Sequence, residues 1–160
     1  MILPPWPYNT YRSNNHDDTT MSKQMSILFK NKLAEIGRLG QVVEEFAELH
    51  HLPPNLIFEF NVALEEILTN VISYGYEDSG EHEIMIRLSC TEEEMTAEVE
   101  DDGRPFNPLE AAEPDTSKPL EDRPVGGLGI HLVRKFMDKV EYRRQQGKNL
   151  LMMKKRIPAT

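Results

Sequence analysis

The apolar residues of this chain change their spacing near Gly75, and this change restricts the folds open to it. Before Gly75 they recur every three or four residues, the period of a helix with one buried face. After Gly80 they alternate with polar residues, the period of a half-buried strand. Helices first and strands later predict an α+β fold, a two-layer sandwich in which helices cover one face of a mixed, mainly antiparallel sheet.

Two amphipathic helices are predicted before Gly75. The apolar residues of the first are spaced by three and four, and they are Leu33, Ile36, Leu39, Val43, Phe46 and Leu49. The stripe of the second, which begins near Pro54 and ends at Tyr74, is Phe60, Ala63, Leu64, Ile67, Val71 and Tyr74. Between the helices stand His50 and His51, which point about 100° apart on a helix. We interpret them as a solvated helix end rather than a metal site.

The remaining elements are predicted as five short strands and a third helix. A strand at 26–30 precedes the first helix, and strands at 84–90 and 95–101 form an antiparallel hairpin. The third helix extends from Leu128 to about Asp138. Strands at 140–144 and 150–157, joined at Gly147, complete the domain.

Composition indicates a globular domain and excludes several classes of protein. Of the 160 residues 39% are hydrophobic and 28% are charged, which is typical of a folded chain. A formal net charge of -9 argues against direct nucleic-acid or anionic-membrane binding. Cys90 is the single cysteine, so no intrachain disulfide forms. No apolar segment is long enough to cross a bilayer, and we expect a cytoplasmic protein.

The chain is predicted to comprise an N-terminal arm, residues 1–24, and one domain, residues 25–160. The arm lacks the pattern of a secretory signal, and Met1, Met21 or Met25 could each be the true start. Residues 104–125 hold five of the eleven prolines and little periodicity. Long loops of this kind in compact domains are functional lids or disordered segments. We expect a lid at 104–125.

The first segment that could carry chemistry is Glu66-Ile67-Leu68-Thr69-Asn70. Glu66 and Asn70 are four residues apart, so they lie on the same side of the second helix, at the border of its apolar stripe. An amide oxygen can ligate a hard cation, and a carboxylate one turn away can accept a proton from a hydroxyl group. A surface Glu and a capping Asn would give the same pattern.

The second segment is Val99-Glu100-Asp101-Asp102-Gly103. By strand alternation Asp101 points to the core face, where a carboxylate is costly unless donors surround it. It could accept the exocyclic amine of an adenine. It could also be a turn aspartate satisfied by its own backbone.

The third segment, Pro124-Val125-Gly126-Gly127-Leu128-Gly129, gathers three glycines where a helix begins. The N-terminus of a helix attracts phosphate, and glycines allow close approach. The segment matches neither a P-loop nor a dinucleotide fingerprint. A flexible hinge would use the same residues.

In this order and spacing the three segments resemble the N, G1 and G2 boxes of the GHKL ATPase superfamily, and most closely its bacterial anti-sigma-factor serine/threonine kinase branch. The stretches "ALEEILTNVISYGYE", "VEDDGRPFNP" and "GGLGIHLVRKFMDKVEYRR" carry the resemblance, which covers about residues 25–157. It implies the Bergerat-type ATP-binding sandwich with a mobile lid over the nucleotide.

The resemblance also implies roles for individual residues. Asn70 would hold the Mg²⁺ that bridges the ATP phosphates, and Glu66 would be the general base. Asp101 would accept the adenine amine, with Gly103 giving the ring room. Gly127 and Gly129 would line the phosphates. Three departures from the family pattern are Arg104-Pro105 in the G1 box, Tyr74 where some of these kinases carry histidine, and Lys148-Asn149 before the last strand.

The function implied is an ATP-dependent serine protein kinase and anti-sigma factor of a partner-switching pathway. It would phosphorylate an anti-sigma-antagonist protein, sequester a sigma factor and form a homodimer. The alternative is a nucleotide-dependent binding module with little or no kinase activity. A third hypothesis is the catalytic half of a histidine kinase. The sequence predicts no dimerising phosphoacceptor helix pair, which argues against it.

Overall fold

The computed structural model describes residues 23–110, 117 and 127–159. The elements in chain order are β1 (Lys23–Lys30), α1 (Glu35–His50), α2 (Pro54–Tyr74), β2 (Glu83–Cys90), β3 (Glu94–Asp101), a short 3-10 helix (Pro108–Glu110), α3 (Gly127–Phe136), β4 (Lys139–Gln145) and β5 (Lys148–Arg156). Apart from the 3-10 helix, which lies in the proposed lid, this is the predicted succession of elements, and the bounds of α2 are the predicted ones.

The five strands form one sheet in the order β1-β2-β3-β5-β4, and every pair of neighbours is antiparallel. The last strand of the chain therefore lies inside the sheet, between β3 and β4. In this register Asp101 on β3 stands opposite Asn149 on β5, which stands opposite Arg144 on β4. Three polar residues thus form one row across the sheet, at the end of β3.

The core lies between the helices and one face of the sheet. Inward residues of β2 and β3 are buried as their alternation predicted: Ile84, Ile86, Leu88, Cys90, Met95, Ala97, Val99 and Asp101. All of these except Asp101 belong to one apolar cluster with residues from α1, α2 and α3, and α2 packs against both α1 and α3. The α+β fold class is confirmed, with all described pairings antiparallel.

Three residues that we assigned to the apolar stripes are exposed instead. Leu33, Leu49 and Tyr74 are 62%, 65% and 53% exposed. Leu33 precedes α1, which begins at Glu35. At about 100° per residue the buried stripe of α1 is centred on the direction of His50, so Leu49 falls beside it.

The interpretation of His50 as solvated was wrong. Its ring packs edge-on against Phe46, with 4.5 Å between ring centroids. Its Nδ1 atom is buried and has no hydrogen-bond partner within the described residues, and burial lowers the pKa of the ring. His51 is exposed and ends the helix with φ 53°, its N–H directed to the carbonyls of Ala47 and Glu48.

The predicted boundaries fall partly outside the described residues. β1 begins at Lys23, two residues before the expected start of the domain, and the rest of the proposed arm is not described. Of the proposed lid, residues 104–110 and 117 are described. In the parts of the chain that the structure describes, no helix has both the length and the apolarity to cross a bilayer.

Candidate functional site

A cavity of about 280 Å³ opens between α2 and the sheet, at the end of β3. Its walls come from α2, β3 and the following loop, the start of α3, and the β4 and β5 hairpin. Most of its lining is apolar. Among the described residues, its polar side chains are Asn70, Tyr74, Asp101, Arg104, Tyr142 and Asn149. Apolar walls with a few convergent polar groups are typical of a small-molecule site.

Asp101 is the buried carboxylate of this cavity, with 5% of its surface exposed. Its Oδ1 atom accepts two hydrogen bonds, from the Gly103 N–H and from Asn149 Nδ2, both at 2.9 Å. Within the described residues no donor is bonded to Oδ2. Burial raises the pKa of Asp101, and these two donors offset only part of that rise. A carboxylate held in this way can accept a hydrogen bond from a ligand.

Gly103 allows the loop after β3 to lie against the end of α2. A Cβ at this position would stand 2.5 Å from the Gly75 carbonyl oxygen and 2.9 Å from Asp101 Oδ1. The next residue, Arg104, donates its N–H to that same Gly75 carbonyl at 2.8 Å. The N and G1 segments, far apart in the sequence, are therefore joined through backbone at the edge of the cavity.

Glu66 and Asn70 lie on one side of α2, as their spacing predicted. Asn70 lines the cavity and donates from Nδ2 to Glu66 Oε1 at 3.1 Å. This bond orients the amide, and no described residue donates to its Oδ1. The pair therefore presents one free amide oxygen and one carboxylate beside each other.

The start of α3 lies directly against Glu66. A Cβ at Gly129 would overlap the carboxylate group of Glu66, so this close approach requires glycine. The carboxylate, the first turn of α3 and Asn70 thus meet at one end of the cavity. Gly127 is the first residue of α3. The surroundings of Gly127 lie outside the part of the chain that the structure describes.

The structure brings most of the predicted site residues together. Asn70 and Asp101 line the cavity and Gly103 holds its rim, while Glu66 and Gly129 touch each other beside it. Asn149 was missed as a site residue, although it had been noted as a departure from the family. The alternation of inward and outward residues along β5 could have identified it, because that alternation places residues 149, 151 and 153 on the inward face.

A two-layer sandwich whose N, G1 and G2 segments converge on one cavity is the architecture of a GHKL-type ATPase. The model of the histidine kinase-like ATPase domain family matches residues 29–155. The chain belongs to this family.

Three relatives place the chain within the family. It is 30% identical over 98 residues to the serine/threonine-protein kinase BtrW of Bordetella bronchiseptica, covering 61% of this chain and 69% of BtrW. It is 35% identical over 102 residues to the serine-protein kinase RsbW of Halalkalibacterium halodurans, covering 61% and 62%. It is 31% identical over 126 residues to an anti-sigma F factor of Clostridium perfringens, covering 76% and 81%. The resemblance to the anti-sigma-factor kinase branch is confirmed.

The fold agrees with a solved structure. The crystal structure of the RsbU and RsbW domains of a Mycobacterium tuberculosis protein matches with a TM-score of 0.61 at 12% identity. The match covers 84% of this chain and 32% of that one. At this identity the match supports the fold alone.

Proposed function

We propose that this protein is an ATP-dependent serine protein kinase and an anti-sigma factor of a partner-switching pathway. It phosphorylates a serine on an anti-sigma-antagonist protein and sequesters a sigma factor. The names of its relatives support this function. The observation that carries it is the position of the Glu66 carboxylate, which lies against the first turn of α3 and is hydrogen-bonded to a cavity residue, Asn70.

The cavity fits the base of a nucleotide. Its volume of about 280 Å³ is near the lower end of ligand pockets, which span about 300–1,000 Å³. Asp101 Oδ2 supplies the acceptor for the exocyclic amine of adenine, between apolar walls that include Val99 and Ile130. The phosphates then lie toward the glycine-led start of α3, where the helix dipole favours negative charge.

The residues present also fit Mg²⁺. Hard cations prefer oxygen ligands, and Asn70 Oδ1 is an amide oxygen directed away from its bonded NH₂ group. Asn70 would hold the ion together with the phosphates. Mg²⁺ bound there would neutralise part of the phosphate charge.

In this proposal Glu66 acts as general base for the transfer. It takes the proton of the seryl hydroxyl as that oxygen bonds to the γ-phosphorus and the bond to the ADP oxygen breaks. The hydrogen bond from Asn70 orients the carboxylate, which lies against the start of α3. We also propose a homodimer, which rests on the family resemblance and is tested by sedimentation.

The proposal is tested by phosphoryl transfer from labelled ATP, with Mg²⁺, to a candidate antagonist domain. Glu66→Gln should lower the transfer rate by about 10²–10⁴-fold, the usual contribution of a general base, and leave ATP affinity within about twofold of wild type. Glu65→Gln is the matched control, because Glu65 is the adjacent glutamate on the exposed side of α2.

A second variant tests the base site. Asp101→Asn keeps an oxygen to accept from Gly103 and Asn149 but replaces the free acceptor by an NH₂ group. It should abolish ATP binding and leave the thermal midpoint of the free protein near wild type. Tight ATP binding by the wild-type protein without phosphoryl transfer would reject the kinase hypothesis and favour the nucleotide-dependent binding module. Unfolding of Asp101→Asn would assign Asp101 a structural role.

A further inference from the structure

Asn149 is a buried amide at the centre of the polar row that crosses β3, β5 and β4. It is 6% exposed and lines the cavity. Four groups surround it. Its Oδ1 accepts from Tyr142 Oη and Arg144 Nη1, both at 2.7 Å, and its Nδ2 donates to Asp101 Oδ1 and to the Arg104 carbonyl, both at 2.9 Å. The amide therefore uses its full capacity for hydrogen bonds.

These partners fix which way the amide faces. The guanidinium of Arg144 can only donate and the carbonyl of Arg104 can only accept. A flipped Asn149 would place like groups against each other on both sides. Arg144 also donates to the Gly103 carbonyl at 3.1 Å, which ties the hairpin to the same loop. The NH₂ group of Asn149 is consequently held toward Asp101.

The fixed amide limits what Asp101 can offer to a ligand. A carboxylate oxygen has two lone pairs, and both lone pairs of Asp101 Oδ1 are used, by Asn149 and by the Gly103 N–H. Oδ2 is the remaining acceptor. A ligand that needs both oxygens of the carboxylate cannot form its second hydrogen bond.

We propose that Asn149 is a positioning residue that reserves a single oxygen of Asp101 for the base and thereby makes the site select adenine over guanine. Adenine presents one exocyclic amine as donor, beside the N1 acceptor. Guanine presents two adjacent donors, N1–H and the exocyclic amine, which pair with both oxygens of a carboxylate. The inference rests on the proposed ATP site and adds to it the residue that determines base selectivity.

The first test compares ATP and GTP, each with Mg²⁺, by calorimetric titration of wild type and Asn149→Ala. Wild type should bind ATP more tightly than GTP. In the variant Asp101 Oδ1 no longer accepts from Asn149, so it can accept a hydrogen bond from guanine. The preference for ATP should therefore fall about tenfold or more, which corresponds to one hydrogen bond to a charged group. Lys154→Gln is the control, because Lys154 pairs with Glu94 on the opposite face of the sheet. It should leave the preference unchanged.

The second test uses the isosteric Asn149→Asp, which keeps an acceptor for Tyr142 and Arg144 but directs an oxygen toward Asp101. Two adjacent ionised carboxylates repel each other, and this repulsion ends when they share a proton as the pH falls. ATP affinity should therefore be low at neutral pH and should recover, relative to wild type in the same buffers, as the pH falls. A role confined to packing would not produce this profile.

The outcomes separate the inference from the proposed function. Wild type that binds neither nucleotide overturns the ATP site itself. If wild type binds ATP and Asn149→Ala keeps the wild-type ATP/GTP ratio, the positioning role is wrong. If Asn149→Ala does not fold, Asn149→Asp decides: affinity equal to wild type at every pH overturns the inference, and recovery at low pH supports it.

Discussion

The two neighbouring carboxylates at the end of β3 are both buried, but they differ in their partners and in the direction of their pKa shifts. Glu100 faces the side of the sheet away from the helices, where Lys148 and Arg87 contact it at 2.6 and 3.1 Å. Burial raises its pKa, but these cations outweigh that effect and lower it. Asp101 faces the cavity with two uncharged donors and keeps a raised pKa. A buried carboxylate with a raised pKa and no close cation is typical of a ligand-binding or catalytic site.

The raised pKa of Asp101 predicts the pH dependence of nucleotide binding. The purine amine needs the ionised carboxylate, so affinity should fall as the pH drops, at a higher pH than for an aspartate with the ordinary pKa of 3.8. Adenosine is the probe, because the phosphates of ATP titrate in the same range. Titrations from neutral pH down toward the ordinary aspartate pKa of 3.8 would measure the loss.

The same shift has a consequence for stability with the opposite sign. A carboxyl whose folded pKa is raised above the unfolded value destabilises the fold when ionised, and this destabilisation disappears as the pH falls through the folded pKa. Asp102 adds to the rise and Arg144 opposes it. A constant adenosine affinity over the whole range would contradict the prediction, as would a free Asp101→Asn protein that is less stable than wild type at neutral pH.

Gly129 predicts a separation of activity from stability. In Gly129→Ala the new methyl group overlaps the end of the Glu66 side chain, which is flexible and can move aside. We expect transfer to fall about 10²-fold, because the base leaves its position. The helix itself should gain up to about 1 kcal/mol. Transfer assays and thermal melts on the same samples check both effects.

The control for Gly129→Ala is another helical glycine. Gly37 lies in α1, and a Cβ there meets nothing within 4 Å. Gly37→Ala should gain similar stability and keep full transfer. Full transfer in Gly129→Ala would show that the position of Glu66 is not required.

The hairpin of β4 and β5 places Asn149 in the site through its turn. Gln146 and Gly147 have φ of 52° and 78°, the backbone of a two-residue turn that matches the twist of the strands. This turn fixes the register in which Asn149 stands opposite Arg144. A slip of one residue would turn Asn149 away from the cavity.

Gly147 therefore allows a prediction about the element. A Cβ at this position meets nothing within 4 Å, so Gly147→Val adds backbone strain alone. It should lower the free energy of unfolding by about 1–2 kcal/mol. Gln146→Asn, which favours the same backbone, should be neutral or stabilising. Urea denaturation would measure both, and an unchanged Gly147→Val midpoint would contradict the assigned turn.

Helices and strands followed from the sequence because each repeats a pattern along one segment. The bounds of α2 and the inward faces of β2 and β3 were predicted correctly, since burial on one side imposes a fixed period. The predictions of burial were wrong where the apolar stripe of a helix reaches the end of that helix. The positions of Leu49 and His50 depend on how α1 meets its neighbours, which no local pattern records.

The whole molecule combines an apolar core on one face of the sheet with charge pairs on the other. On the face away from the helices, Glu100 bridges Arg87 and Lys148, while Lys154 pairs with Glu94. Met152 is 3% exposed although it lies on that face, where it stands between Glu98 and Glu141 in the register. The helices α1, α2 and α3 lie on the other side, which carries the cavity.

The sequence by itself determined the fold class, the elements and the candidates Glu66, Asn70, Asp101 and Gly129, because periodicity and residue chemistry are local properties. The tertiary structure decided which of them meet. Placing β5 between β3 and β4 put Asn149 against Asp101, 48 residues apart in the chain, and packing α3 on α2 put Gly129 against Glu66. Such contacts depend on strand order and helix packing, which are set by the burial of the whole core rather than by any single segment.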